Sequence, residues 1–337
     1  MFECDGLGQN LPRAFISARP QVIVRSLQAS TAADGCYFAL VTKALVLSGG
    51  GSVGIAWEIG VAAGLARAGV DVRDADFITG TSAGSAVGAQ LALHRNLDDL
   101  VSRQRQIGGI SAQGSSGNGA GGPGGEQMAK LFAVMTQAMR SEGPAEARRA
   151  AIGRFALDAD ALPEERFVAS FRYLKGETWP GQFTCTAVDA LSGEFTVWDA
   201  RAGAELDRAV ASSCAVPGLF APVTINGRRY IDGGMRSGTN ADLARGHDRV
   251  LIISLLGAVA ATSGQNTRFT PAGQLDSEIA ALTESGSAVE VINADEAGAR
   301  ALGINLMDRS AIPAAVDEGI RQGESEASRL RKFWSGG

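Results

Sequence analysis

Two side chains of this chain have the type and setting for covalent chemistry: a serine and an aspartate, each set among glycines. In Gly80-Thr81-Ser82-Ala83-Gly84 the serine stands between small residues, as a hydroxyl on a sharp strand-to-helix turn requires. Such a turn lifts the hydroxyl clear of the sheet, and the helix N-terminus behind it favours developing negative charge. In Ile231-Asp232-Gly233-Gly234 a carboxylate stands at the end of a predicted strand, and the two glycines let another loop come close. Alone, an Asp-Gly-Gly stretch reads as a turn. A carboxylate near pKa 3.9 is a weak base toward a serine hydroxyl, but burial would raise that value. A third stretch, Gly49-Gly50-Gly51-Ser52-Val53-Gly54, fits two uses. One is the G-x-G-x-x-G dinucleotide fingerprint, which needs an acidic residue at the end of the next strand. Asp71, Asp74 and Asp76 precede that strand, and Gly80-Thr81-Ser82 occupies its end, so the fingerprint fails at its discriminating position. The other use is an oxyanion hole, in which backbone N–H groups converge on one oxygen.

A histidine partner for Ser82 is poorly supplied. His94 lies twelve positions on, along the helix that follows the serine. His247 gives the chain order Ser, Asp, His, but it precedes the strand of residues 250–255 and so belongs at that strand's start. Active sites of parallel sheets gather at the carboxyl ends of their strands. Cys214 reads as a packed small residue, and Ser48 and Ser85 as turn and helix-start hydroxyls.

The elements that must position these residues follow from periodicity. Lys43–Ser48 is a short apolar run of the buried parallel-strand type, and a helix with Ile55, Ile59, Ala62, Ala63 and Leu65 on its apolar face follows it. Phe77–Thr79 is a second strand, followed by a small-residue helix through Leu93. Strand, glycine turn and helix, twice over, predict an α/β protein with a parallel sheet. Residues 108–125, rich in Gly and Ser, read as a flexible loop. Helical patterns fill roughly 126–175, either as a cap over the site or as peripheral packing. Strands are expected at 183–188, 195–198, 223–225, 229–231 and 249–256, with a hairpin turn at Asn226-Gly227. Residues 257–272 look polar and irregular, and a terminal helix spans about 313–333. Residues 1–42 show no sustained pattern and are set apart as an extension from a domain of residues 43–337, with the insertion at about 108–175.

Together, the glycine stretch, the Gly-x-Ser-x-Gly turn and the Asp-Gly-Gly stretch, in this order, resemble the patatin-like phospholipase family. Ala211-Ser212-x-x-Ala215-x-Pro217-x-x-Phe220-x-Pro222 is similar to the segment those proteins carry before the aspartate motif. The resemblance spans residues 43–256. It implies a three-layer α/β/α fold around a mainly parallel sheet and a Ser–Asp dyad without histidine. It further implies hydrolysis of acyl esters, often of lipids, with no metal or cofactor. On that resemblance Ser82 is the nucleophile, Asp232 the base, and Gly49, Gly50 and Gly51 form the oxyanion hole. Gly54, Gly80, Gly84, Gly233 and Gly234 support the motifs. The chain departs from the pattern at Val53, where family members commonly carry a basic residue, and this weakens phospholipid as substrate more than ester hydrolysis. A lipid- or acyl-binding protein without turnover on the same fold is the alternative reading.

Composition narrows the remaining classes. The 337 residues are 45% hydrophobic, enough for a sizeable core, and a net charge of −5 with no long basic block argues against a nucleic-acid partner. Cys4, Cys36, Cys185 and Cys214 form no C-x-x-C pair and only two histidines exist, so no metal site is expected. Neither a signal peptide nor a spanning segment is read, and the expectation is a cytoplasmic protein able to meet a membrane surface transiently. Its partner would then be a lipid or other acyl ester.

Overall fold

The computed structural model describes residues 41–114, 123–255 and 273–335. The part of the extension before residue 41, the middle of the Gly/Ser stretch and the 257–272 segment therefore lie outside the described residues. The first two βα units fall where periodicity sets them: β1 (Lys43–Leu47), α1 (Gly51–Arg67), β2 (Phe77–Gly80) and α2 (Ala83–Ala92). Then come α3 (Leu97–Gly114), α4 (Pro123–Arg140), α5 (Ala145–Asp158) and α6 (Glu164–Val168). Strands β3 (Phe183–Asp189) and β4 (Phe195–Trp198) precede α7 (Leu206–Ser213) and the hairpin β5 (Val223–Ile225) and β6 (Arg228–Asp232). The chain continues through β7 (Arg249–Ser254), α8 (Gln274–Glu284), β8 (Ala288–Asn293), α9 (Glu296–Leu302) and α10 (Ile312–Ser335).

Two expectations need correction. The Gly/Ser loop does not begin at residue 108, because α3 runs on to Gly114. Gly108 lies inside that helix against Pro313, whose ring a Cβ there would approach to 2.4 Å. Residues 273–302 carry a helix, a strand and a further helix that periodicity does not disclose. The strand β8 lies at the sheet's edge and is only partly buried.

β1 pairs in parallel with β2 on one side and β7 on the other, while β2 pairs in parallel with β3 and β7 with β8. Alternation along the central strands sorts side chains to two faces. Leu45, Leu47, Leu251 and Ile253 join one core with α1 and α10, whereas Ala44, Val46, Val250 and Ile252 meet Leu282 of α8. The result is a layered α/β/α molecule with a mixed, mostly parallel sheet. The helices α4 and α5 form a separate cluster against Val188 of β3 and Ile231 of β6, through Leu131, Met135, Ile152 and Ala156.

The antiparallel elements decide where the site forms. β4 pairs with Cys185–Val188 of β3, while β2 pairs with Phe183–Cys185 and β6 with Ala187–Asp189. A strand has two edges, and β4 shares residues with both other partners, so it occupies one edge alone. β2 and β6 therefore share the other edge end to end. β6 runs toward the carboxyl end of β2, and the Asp232 end of one strand meets the Gly80 end of the other.

Helix α1 is buried nearly all round from Val53 to Leu65, not along one face as the spacing of its larger residues suggests. The reason lies in α10. Gly60 and Gly64 of α1 face Gly319 and Gly323 of α10, and Cβ atoms on the latter two would stand 2.3 Å from the Trp57 and Val61 carbonyl oxygens. Only glycine permits helix backbones this close.

Candidate active site

Ser82 sits between β2 and α2 with φ 53° and ψ −117°, a conformation that glycine prefers. Its turn is built by close approach. A Cβ on Gly80 would stand 2.2 Å from the Gly84 carbonyl oxygen, and one on Gly84 would stand 2.3 Å from that of Leu47. Polar groups then lock the backbone of the serine. Its N–H donates to Ser213 Oγ at 3.0 Å, and its carbonyl accepts from Ser85 Oγ at 2.6 Å and Cys214 Sγ at 3.0 Å. Ser82 itself remains 8% exposed.

Asp232 ends β6 opposite Ala187 and is 2% exposed. Burial raises its carboxyl to about 7, and hydrogen bonds from the Ser82 hydroxyl and from the Gly234 N–H (2.7 Å) moderate that rise. The backbone N–H of Asp232 donates to the Ala215 carbonyl at 3.0 Å. Residues 213–215 thus brace both members of the pair, which gives the Ala-Ser-x-x-Ala-x-Pro segment its structural role. Gly233 is required by Thr186, whose Oγ1 would lie 2.1 Å from a Cβ there.

The glycine stretch passes beside the serine. A Cβ on Gly49 would stand 3.5 Å from the Ser82 Cβ, and one on Gly50 would clash with Leu255 at 2.4 Å. Gly51 takes φ +59° and lies against Leu306 and Met307. The reading of Gly49 as an oxyanion donor needs correction: its N–H is already given to the Gly238 carbonyl at 2.8 Å. Among the described residues, no acceptor takes the N–H groups of Gly50, Gly51 or Ala83, which open α1 and α2. Val53 is fully buried, and its N–H donates to the Leu306 carbonyl.

The histidines lie elsewhere. His94 follows the end of α2 in a left-handed turn (φ 51°), and His247 stacks on Phe77 at the opposite end of β2 from Ser82. Cys214 is a buried thiol pushed up by burial and by the nearby Asp232. The periodicity and motifs passed over three polar groups. Glu58 of α1 is fully buried, and burial holds its carboxyl well above the usual range, with the backbone and hydroxyl of Ser48 only moderating the rise. Asn240, at φ 49°, donates from Nδ2 to Thr81 Oγ1 at 2.9 Å and to the Ser237 carbonyl at 2.7 Å. Glu278 of α8 accepts hydrogen bonds from Ser237, Thr239 and Ala241. A polar residue that looks like an ordinary loop or helix side chain carries no such signal in sequence.

A mostly parallel α/β sheet thus holds a serine and a buried aspartate together at the carboxyl end of β2. The family model of the patatin-like phospholipases matches residues 45–245, and this chain belongs to that family. Uncharacterized NTE family proteins of Mycobacterium bovis and Mycobacterium tuberculosis are 35% identical to it over 97 residues, 25% of this chain and 26% of each relative. The match therefore spans about a quarter of the curated relatives. Among solved structures, VipD from Legionella pneumophila is similar over 85% of this chain and 67% of its own, at 13% identity and a TM-score of 0.39. The type III effector protein ExoU is similar over 84% of this chain and 53% of its own, at 16% identity and a TM-score of 0.33.

Proposed function

We propose that the protein is a serine acyl hydrolase that cleaves carboxylic esters of lipids, of the phospholipase A or lipid esterase type, through Ser82 and Asp232. The observation that carries this reading is the buried Asp232 carboxyl brought beside a serine on a glycine-flanked turn by β2 and β6, which share one edge of β3. Asp232 takes the Ser82 proton as Oγ attacks the ester carbonyl. The carbonyl oxygen becomes an anion, which the Gly50, Gly51 and Ala83 N–H groups stabilise together with the N-termini of their helices. Collapse expels the alcohol, which leaves with the proton held by Asp232, and the acyl group stays on Oγ. A water molecule then gives its proton to Asp232 and attacks the acyl carbonyl, and the acid departs as the proton returns to Oγ. A base of pKa about 7 suits this work near neutral pH.

The lipid substrate reaches the site from a membrane or micelle surface, with the protein held peripherally. Among the described residues no helix is long and apolar enough to cross a membrane. The buried Val53 leaves its place in the glycine loop without a cation, which favours esters whose recognition does not depend on a phosphate there. The test is hydrolysis of a p-nitrophenyl ester series, short to long acyl chain, by wild type and Ser82→Ala, with folding checked by circular dichroism. Activity should fall to background in the variant. Activity surviving in Ser82→Ala would overturn the mechanism, and a folded but inactive wild type that binds acyl chains would favour binding without turnover.

A further inference from the structure

The loop of residues 237–241 touches all three motifs of the site. Its Gly238 carbonyl accepts the Gly49 N–H at 2.8 Å, which fixes the start of the glycine loop. Its Asn240 side chain donates to Thr81 Oγ1 at 2.9 Å, one residue before Ser82, and to the Gly233 carbonyl at 3.4 Å, one residue after Asp232. Thr81 Oγ1 in turn meets Thr186 Oγ1 at 3.0 Å, beneath Gly233. Asn240 holds a left-handed backbone, a region that asparagine enters more readily than most non-glycine residues.

Glu278, from a helix distant in sequence, holds the loop in that shape. One carboxylate oxygen accepts from Ser237 Oγ at 2.6 Å, and the other accepts from Thr239 Oγ1 and, at 2.9 Å, from the Ala241 N–H. Ser237 Oγ also accepts from the backbone N–H groups of Thr239 and Asn240, at 3.2 and 3.1 Å. All the donors around Glu278 point at it, and only a group with acceptors on both arms satisfies them. The residue is 8% exposed, and surface charge balance does not explain it.

We propose that Glu278 is a positioning residue for the esterase site: through Ser237, Thr239 and Ala241 it sets the loop that aligns Gly49 with the Ser82 turn. This rests on the acyl-hydrolase reading above. The glycine loop follows Gly49 directly, so a shift of the Gly238 carbonyl moves the Gly50 and Gly51 donors relative to the ester oxygen. Misplacement of about 1 Å by a group remote from the chemistry can cost on the order of a hundredfold in rate. On this reading the loop acts through the Gly50 and Gly51 donors, which engage the charge that develops in the transition state, so the loss belongs in kcat.

The decisive variant is Glu278→Gln, which keeps the shape but sets an amide N–H₂ against donors in either orientation. With a p-nitrophenyl ester, kcat should fall about ten- to a hundredfold with KM unchanged. The inhibition constant of an alkyl trifluoromethyl ketone, whose serine adduct carries an oxyanion, should rise by the same factor. A merely structural role would lower the melting temperature and move neither ratio. A folded Glu278→Gln with kcat and ketone affinity within twofold of wild type would overturn the proposal. Should that variant fail to fold, Thr239→Val and Thr239→Ser decide: loss in the first with restoration in the second supports it, and equal kcat in both overturns it. Failure of the underlying reading is separately visible, because wild type would then be inactive or Ser82→Ala active whatever Glu278 does.

Discussion

Asp232 is the residue at which the proposed chemistry and the stability of the fold pull in opposite directions. Burial moves its carboxyl from 3.8 to about 7, so the folded protein binds this proton more tightly than the unfolded chain does. Below pH 4 both states are protonated and the site costs nothing. Between about 4 and 7 the unfolded chain ionises first, and folding loses about 1.4 kcal/mol per pH unit at this position. Above 7 the loss has reached its full size, about 4 kcal/mol as an upper figure. Asp232→Asn removes the titration but keeps an oxygen for the Gly234 N–H. The variant should therefore be inactive as an esterase and more stable than wild type at pH 8.5, by an amount that shrinks toward zero near pH 4. Urea denaturation of both proteins across that range measures the difference directly. A gap independent of pH would refute the reasoning, since it would mean that the carboxyl does not titrate between the two states. The kcat/KM of wild type should show the matching acid limb, falling below an apparent pKa near 7, because the base must be ionised to accept the Ser82 proton.

Two further outcomes follow from backbone and packing. Ser82→Gly removes a side chain from a conformation that glycine prefers, so it should abolish esterase activity while raising stability by about 1 kcal/mol, read from the same denaturation curves. Gly319→Val places methyl groups where even a Cβ would stand 2.3 Å from the Trp57 carbonyl; it should force α10 from α1 and destabilise the protein by about 3 kcal/mol or more, seen as a lowered melting temperature.

Legibility differed from element to element for physical reasons. The βα units carrying Gly49–Gly54 and Ser82 were readable because buried parallel strands are continuous apolar runs and the turns between them admit only small residues. The Asn226-Gly227 hairpin was readable because both residues take positive φ, 50° and 76°. The α8–β8–α9 stretch was not, because β8 is an edge strand with little burial and α9 is short. Gly108 reads as loop because a glycine breaks the helical pattern, whereas it is small here because α3 passes close to Pro313, more than two hundred residues away in sequence. At the site, the serine and aspartate announce themselves through their glycines. Glu58, Asn240 and Glu278 do not: their meaning lies in burial and in partners that no local spacing records. Gly49 was assigned a donor's part because the motif is read as a unit, whereas the Gly238 carbonyl already holds its N–H.

The pair Ser82 and Asp232 stands apart from both histidines of the chain, with His247 stacked on Phe77 at the far end of β2 and His94 beyond the end of α2. In the terms of coordination chemistry, this leaves the site poor in soft donors. Zinc and copper ions bind imidazole nitrogen and thiolate sulfur most readily. Among the described residues the thiol nearest the pair is Cys214, kept protonated by its burial and by the Asp232 carboxyl beside it. Among the described residues, reagents that modify imidazole therefore meet no target beside Ser82.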